Sequence, residues 1–186
     1  MAAGNPARII RAPGKLVVNP TDLTTAYPYG GTEVGLTKTV VVKPQGNSYL
    51  VSSEGRGEIS DFLEADNRWV VGFYLRGFDD DALLLLHPDF AEVGEVTGHT
   101  SFRVPASAVP GASALPRARK LLYVPDDPIN TPALLVYRGI PDFENNSDIS
   151  FQRKSEFGMA MAVECLRDEQ NRILEIGRLA DMPPGL

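Results

Sequence analysis

The sequence predicts a mainly β protein, an antiparallel sandwich or barrel with one short flanking helix and long loops. Three observations point there. β-Branched and aromatic residues crowd into short runs, such as Thr37, Thr39, Val40, Val41 and Val42, or Ala133 to Arg138. From Asp148 to Leu166 apolar and polar residues alternate at period 2, the pattern of strands with one buried and one wet face. Clusters of Pro, Gly, Asn and Asp punctuate these runs, and no internal repeat is visible.

The chain has 186 residues, 43% of them apolar and 23% charged, which is enough to bury a core without disulfides or metal. Residues 1–35 are rich in Pro, Gly, Thr and Asn, broken only by Leu16-Val17-Val18. They read as an N-terminal arm or loop with little core of its own, either mobile or ordered by packing against something else, such as a neighbouring subunit. The β domain then spans 36–180, with a long loop at 87–120, and 181–186 is a C-terminal coil.

Within the domain, Gly35 to Lys43 is a strand, Pro44 to Asn47 a turn, and Ser48 to Ser52 the returning strand of a hairpin. Glu58 to Glu64 is of uncertain type. Arg68 to Arg76 is a strand with Trp69, Val71, Phe73 and Leu75 on its bulky face, and Trp69, the only tryptophan, is a core or interface anchor. Asp79-Asp80-Asp81 caps a short helix over Ala82 and four leucines that stops before Pro88. A calcium loop would need ligands spread over about 12 residues, and that spacing is missing. In the irregular 87–120 stretch only Thr100 to Val104 looks like a strand; Arg117, Arg119 and Lys120 form a small basic cluster, read as a solvated loop end with a DNA contact as the alternative.

Lys120 to Val124 and Ala133 to Arg138 are strands joined by the turn Pro125-Asp126-Asp127-Pro128. Asp148 to Leu166 reads as almost unbroken strand, with Gly158 a place for a bend. Ile149, Phe151, Phe157, Met159, Met161, Val163 and Cys165 share one parity; Gln152, Lys154, Glu156, Ala160, Ala162 and Glu164 hold the other. Arg172 to Gly177 returns as a last strand.

No catalytic, metal-binding or cofactor-binding residues emerge. The two histidines, His87 and His99, lack metal spacing, and there is no nucleophile elbow, phosphate-cradling loop or dinucleotide fingerprint. Gly55-Arg56-Gly57 is a turn. Asn145-Asn146-Ser147 is likewise a turn, since nothing else argues for a secretory route. Cys165 is the single cysteine, near Val163 and Leu166 in a strand and with no basic or histidine neighbour, and reads as inert packing. The formal net charge of -6 argues against generic affinity for nucleic acid. No apolar run is long enough for a membrane span, and the start is no signal peptide.

Several stretches resemble the major tail tube proteins of long-tailed, siphovirus-like bacteriophages. At the start these are Ala12-Pro13-Gly14-Lys15-Leu16-Val17-Val18, Pro20-Thr21-Asp22-Leu23 and Tyr29-Gly30-Gly31-Thr32-Glu33-Val34-Gly35. At the end they are Glu156 to Leu166 and, after a turn, Arg172-Ile173-Leu174-Glu175-Ile176-Gly177. The middle matches only by strand rhythm. The resemblance implies a tail-tube-like β-sandwich with a flanking helix, a non-enzymatic virion protein made in the bacterial host cytoplasm. It implies self-assembly into hexameric rings stacked as a tube, with tape measure and terminator proteins as further partners. Genomic DNA would cross the lumen without specific binding, and no membrane is involved.

On that reading Leu16, Tyr27, Tyr29, Trp69, Arg117 and Arg119 are candidate inter-subunit contacts. Lys38, Gln152, Lys154, Glu156 and Glu164 are candidate lumen-facing residues, on either the 36–43 strand or the wetter parity of 148–166. Acidic groups there would repel phosphate over a screening length of ~8 Å at physiological salt. Rival readings are another ring-forming tail component, such as a terminator, neck connector or distal tail protein, and a carbohydrate-binding β-sandwich using Tyr27, Tyr29 and Asp22. A β-fold enzyme without a recognised motif is the remaining one.

Overall fold

A computed structural model describes residues 9–10, 13–45, 48–52, 59–64, 68–77, 91–96, 99–103, 113, 115–141, 149–150 and 158–186. The chain is mainly β, and six antiparallel strands close into a barrel with one strand outside. Of the two closures expected from sequence, the barrel is the one that forms.

The strands in chain order are β1 (Ile9–Ile10), β2 (Gly14–Val18), β3 (Thr32–Gln45), β4 (Ser48–Ser52), β5 (Ile59–Glu64), β6 (Arg68–Gly77), β7 (Ala91–Val96), β8 (His99–Arg103), β9 (Arg119–Pro125), β10 (Ala133–Pro141), β11 (Ile149–Ser150), β12 (Gly158–Cys165) and β13 (Leu174–Gly177). Going round the barrel the staves are β12, β6, β3, β2, β9 and β10. β10 closes it by dividing one edge between two partners. Ala133–Val136 pair with β13, outside the barrel, and Gly139–Pro141 pair with β12.

Alternation sorts the side chains. Leu16, Val18, Val40, Val42, Val71, Phe73, Leu75, Leu121, Tyr123, Leu134, Val136, Met161, Val163 and Cys165 form the barrel interior. A second cluster lies on the outer face of β2, β9 and β10, where Val17, Leu122, Ala133, Leu135 and Tyr137 pack with Met182. Burial on both faces explains why Leu16, Val17 and Val18 are apolar in succession rather than in alternation.

Several expectations change. Residues 14–18 and 32–35 are not an arm but parts of two barrel staves, and Leu16 is 0% exposed. The residues after 180 pack rather than trail, since Met182 is buried against the second cluster. The expected hairpin of the 35–43 strand with Ser48 to Ser52 does not form. β3 runs on to Gln45, with Pro44 inside it opposite Trp69 of β6. β4 pairs instead with β5, the segment of uncertain type. The 87–120 loop holds a hairpin, β7 with β8, rather than one strand, and β9 begins at Arg119.

Asp148 to Leu166 is not one strand either. Ile149 pairs with Met159 and Ser150 with Gly158, so the chain reverses between β11 and β12. That register sets odd residues opposite odd ones, so the period-2 pattern runs through the reversal unbroken. The expected helix after Asp79 lies outside the described residues; those described include two single 3-10 turns, Leu115–Arg117 and Leu179–Asp181.

Candidate functional site

The two strand faces named from sequence as alternative lumen linings are one surface. β6 lies between β3 and β12, and its registers set outward residues in rows: Lys43, Val70 and Glu164; Val41, Gly72 and Ala162; Thr39, Tyr74 and Ala160. These rows, apart from Glu164 and with Gln45 added, line a trough of about 330 Å³. Its floor is small because Gly72, Ala160 and Ala162 fall side by side. At its upper end Arg68 holds Glu164 through two contacts of 2.8 Å. Lys38 is exposed at the bulge where the β3–β6 register shifts.

Among the described residues, Lys38, Lys43, Arg68 and Arg76 lie on these strands, and Glu164 is the carboxylate that Arg68 holds. Gln152, Lys154 and Glu156 lie outside the described residues.

The opposite outer face is sealed by the chain's own two ends. The 19–31 loop brings Leu23 and Tyr29 onto the second cluster, and the C-terminal segment brings Leu179, Met182 and Leu186. The two ends lock where Leu23 N–H donates to Pro184 O at 3.2 Å and Asp22 bridges Gly185. Tyr27 and Tyr29 stand edge to face at 5.7 Å, joined by a cis Tyr27–Pro28 peptide bond and a left-handed Tyr29. The Tyr27 hydroxyl donates to Glu33, and Lys15 lies 3.3 Å from the same carboxylate and 4.8 Å over the Tyr27 ring. Burial, then Glu33, push the Tyr27 phenol far up, so it stays a neutral donor.

This arrangement weakens the sugar reading. Tyr27 has a ring face covered by Lys15, and Asp22 Oδ1 already accepts from Thr24 N–H and Oγ1, each at 2.8 Å. Of the candidate contacts, Tyr27 remains 37% exposed. Tyr29 is half-buried, and Trp69 is half-buried against the barrel core. Leu16 is core, so its burial needs no neighbouring copy.

The basic cluster does not act together. Alternation along β9 sends Arg119 and Lys120 to opposite sides. Arg119 donates to Pro116 O and Ala118 O at 3.1 Å, fastening its own turn. Arg117 sits in that turn. Burial, then Arg172, lower the Lys120 pKa. Arg172 in turn lies 3.9 Å over the Tyr137 ring and 2.7 Å from Asp168. Cys165 is buried at the barrel wall, where burial and then Glu164 push its thiol up to about 12.

Sequence reasoning named the β9–β10 turn but passed over Ile129 within it. Ile129 at its tip is 75% exposed, the most open of the large exposed apolar residues named for this chain. The Asp127 carboxylate accepts Ile129 N–H and Asn130 N–H at 3.2 Å and Asn130 Nδ2 at 2.8 Å. Thr131 N–H donates to Asp127 O, and Asp126 N–H to Pro13 O, both at 3.0 Å. The available signal was an isoleucine inside a run of Pro, Asp and Asn. No protein-family model matches the chain, and no curated protein matches it.

Proposed function

We propose that this chain is a structural, non-enzymatic subunit of a bacteriophage tail tube, stacking as hexameric rings around a lumen for genomic DNA. The observation that carries the reading is a two-stranded ribbon. β3 pairs with β6 up to Gln45 and Arg68, and the next two strands along the chain, β4 and β5, pair with each other from Ser48 and Glu64 onward. Among the described strands, β4 and β5 have only each other as hydrogen-bonded neighbours.

An isolated two-stranded ribbon is marginally stable in water, and its free edges invite pairing. A chain that builds one needs something to lay it against, and further copies of itself supply that. The resemblance at both ends of the sequence supports the same reading. Negative-stain microscopy of the purified protein tests it, with rings or tubes expected. A compact monomer at high concentration sinks it. Copies per particle then separate a tube, with hundreds, from a terminator, connector or distal ring, with six or twelve.

A further inference from the structure

We propose that the β9–β10 turn of one copy seats in the β3–β6–β12 trough of the next, with Ile129 on the floor made by Gly72, Ala160 and Ala162. The proposal rests on the ring reading and names the contact that would make it.

The trough and the turn are complementary in three respects. The first is shape. A Cβ added at Gly72 would meet nothing closer than 3.9 Å, so this chain does not itself require a glycine there. Glycine inside a strand weakens it and marks a bulge, a bend or close approach by another group; the β3–β6 register is regular at Gly72, and the open space over it fits the last. Ala160 and Ala162 keep the space beside it low, while Tyr74, Thr39 and Lys43 wall it. The volume of about 330 Å³ suits one branched side chain with the turn that carries it.

The second is preorganisation. The Asp127 carboxylate and the Asp126 and Thr131 amides fix the turn, so seating Ile129 orders little that is not already ordered. The third is charge. Asp126 and Asp127 flank the isoleucine, and Lys43 rims the trough with Lys38 beyond it. Opposed charges at a rim set register and encounter rate more than affinity.

The topology makes the contact intermolecular. β6, the middle strand of the trough, stands three staves away from β9, on the far side of the barrel. A turn on one side that fits a trough on the other gives a head-to-tail contact, which closes into a ring or propagates as a stack.

Two kinds of variant test this in the full chain. Ile129→Asp changes an exposed residue, so it should fold with the wild-type melting temperature. It should weaken assembly, read by mass photometry and sedimentation, by roughly 10- to 100-fold, the factor for losing burial of one isoleucine. Lys43→Asp should also weaken it, and Asp126→Lys in the same chain should restore part of the loss.

For a direct readout, Ile129→Cys and Ala160→Cys proteins are mixed and oxidised; the native Cys165 is buried. A mixed disulfide dimer is expected, exceeding that of Ile129→Cys with Leu115→Cys, a partner site that is exposed but outside the trough. Wild-type rings with undiminished assembly of Ile129→Asp and no excess mixed dimer would overturn this contact and leave the ring reading standing. A wild-type protein that stays monomeric overturns both.

Discussion

Leu16→Ala separates a core role from a contact role at a position where sequence alone pointed to a contact. Leu16 is 0% exposed and packs in the barrel interior with neighbours that include Val34, Val40 and Tyr123. Truncation removes three buried carbons from a wall held by β-ladders on both sides, with Thr37, Leu36 and Gly35 across one edge and Tyr123 and Val124 across the other. Such a wall collapses poorly into a cavity, so the loss falls within the range of buried Leu→Ala changes, about 3 kcal/mol. For a chain of this size that is roughly 6–12 °C in melting temperature, or on the order of 1–2 M in urea midpoint at unchanged slope. The assay is urea unfolding followed by the fluorescence of Trp69, the single tryptophan, at two protein concentrations tenfold apart. A loss below ~1 kcal/mol, or one that appears only at the higher concentration, would refute the placement of Leu16 in the monomer's core.

Gly14→Ala should destabilise by about 2 kcal/mol or more, because the added methyl lies 2.5 Å from Val124 O, a backbone atom that cannot swing away. Gly72→Ala, with nothing inside 3.9 Å, should leave the monomer's melting temperature unchanged or slightly raised; equal losses for the two would contradict the packing described. Cys165, its thiol pushed up to about 12 by burial and then by Glu164, should ignore a disulfide reagent at pH 8 in the native protein and react fully in denaturant; rapid native labelling would show an open barrel wall. At Asp168 burial raises the pKa, but the Arg172 amide and guanidinium outweigh it, so the net shift is below 3.8. A depressed carboxylate contributes stability that is present above its unfolded value and lost as pH falls through its folded one. The melting-temperature gap between wild type and Asp168→Asn should therefore be widest near neutrality and close only as pH falls below the ordinary carboxylate range; a gap constant with pH would remove the ionised carboxylate from the account.

Strand identity was largely legible because a sheet face writes itself as alternation, while pairing was not. The β11–β12 reversal keeps odd residues opposite odd ones, so a strand and a hairpin leave the same trace. Pro44 looked like a turn residue, yet it sits inside β3 opposite Trp69 of β6. Leu16-Val17-Val18 looked like an apolar patch in a loop because alternation was absent. Its absence was itself the signal, since β2 is covered on both sides, by the interior and by Leu23, Tyr29 and Met182. The trough had no linear trace at all. Its floor takes Val41, Gly72 and Ala162 from three strands and exists only once register is fixed. Only Ile129 and Gly72, each out of keeping with its local pattern, were marked in the sequence itself.

Barrel closure constrains how copies of this chain can join. In a sandwich, each sheet ends in edges that a neighbour can extend, and a ring of subunits can share one continuous sheet. Closing β10 onto β12 consumes that option for the six staves, since closure alone removes edges. What remains among the described strands is the outer edge of β13, the short β11 and β1, and the ribbons β4–β5 and β7–β8. A ring built from this barrel must therefore join through side chains on its outer faces and through its ribbons. The face beside β2, β9 and β10 is covered by the 19–31 loop and the C-terminal segment, whereas the β3–β6–β12 face keeps an open trough among the described residues, which is where the proposed neighbour would join.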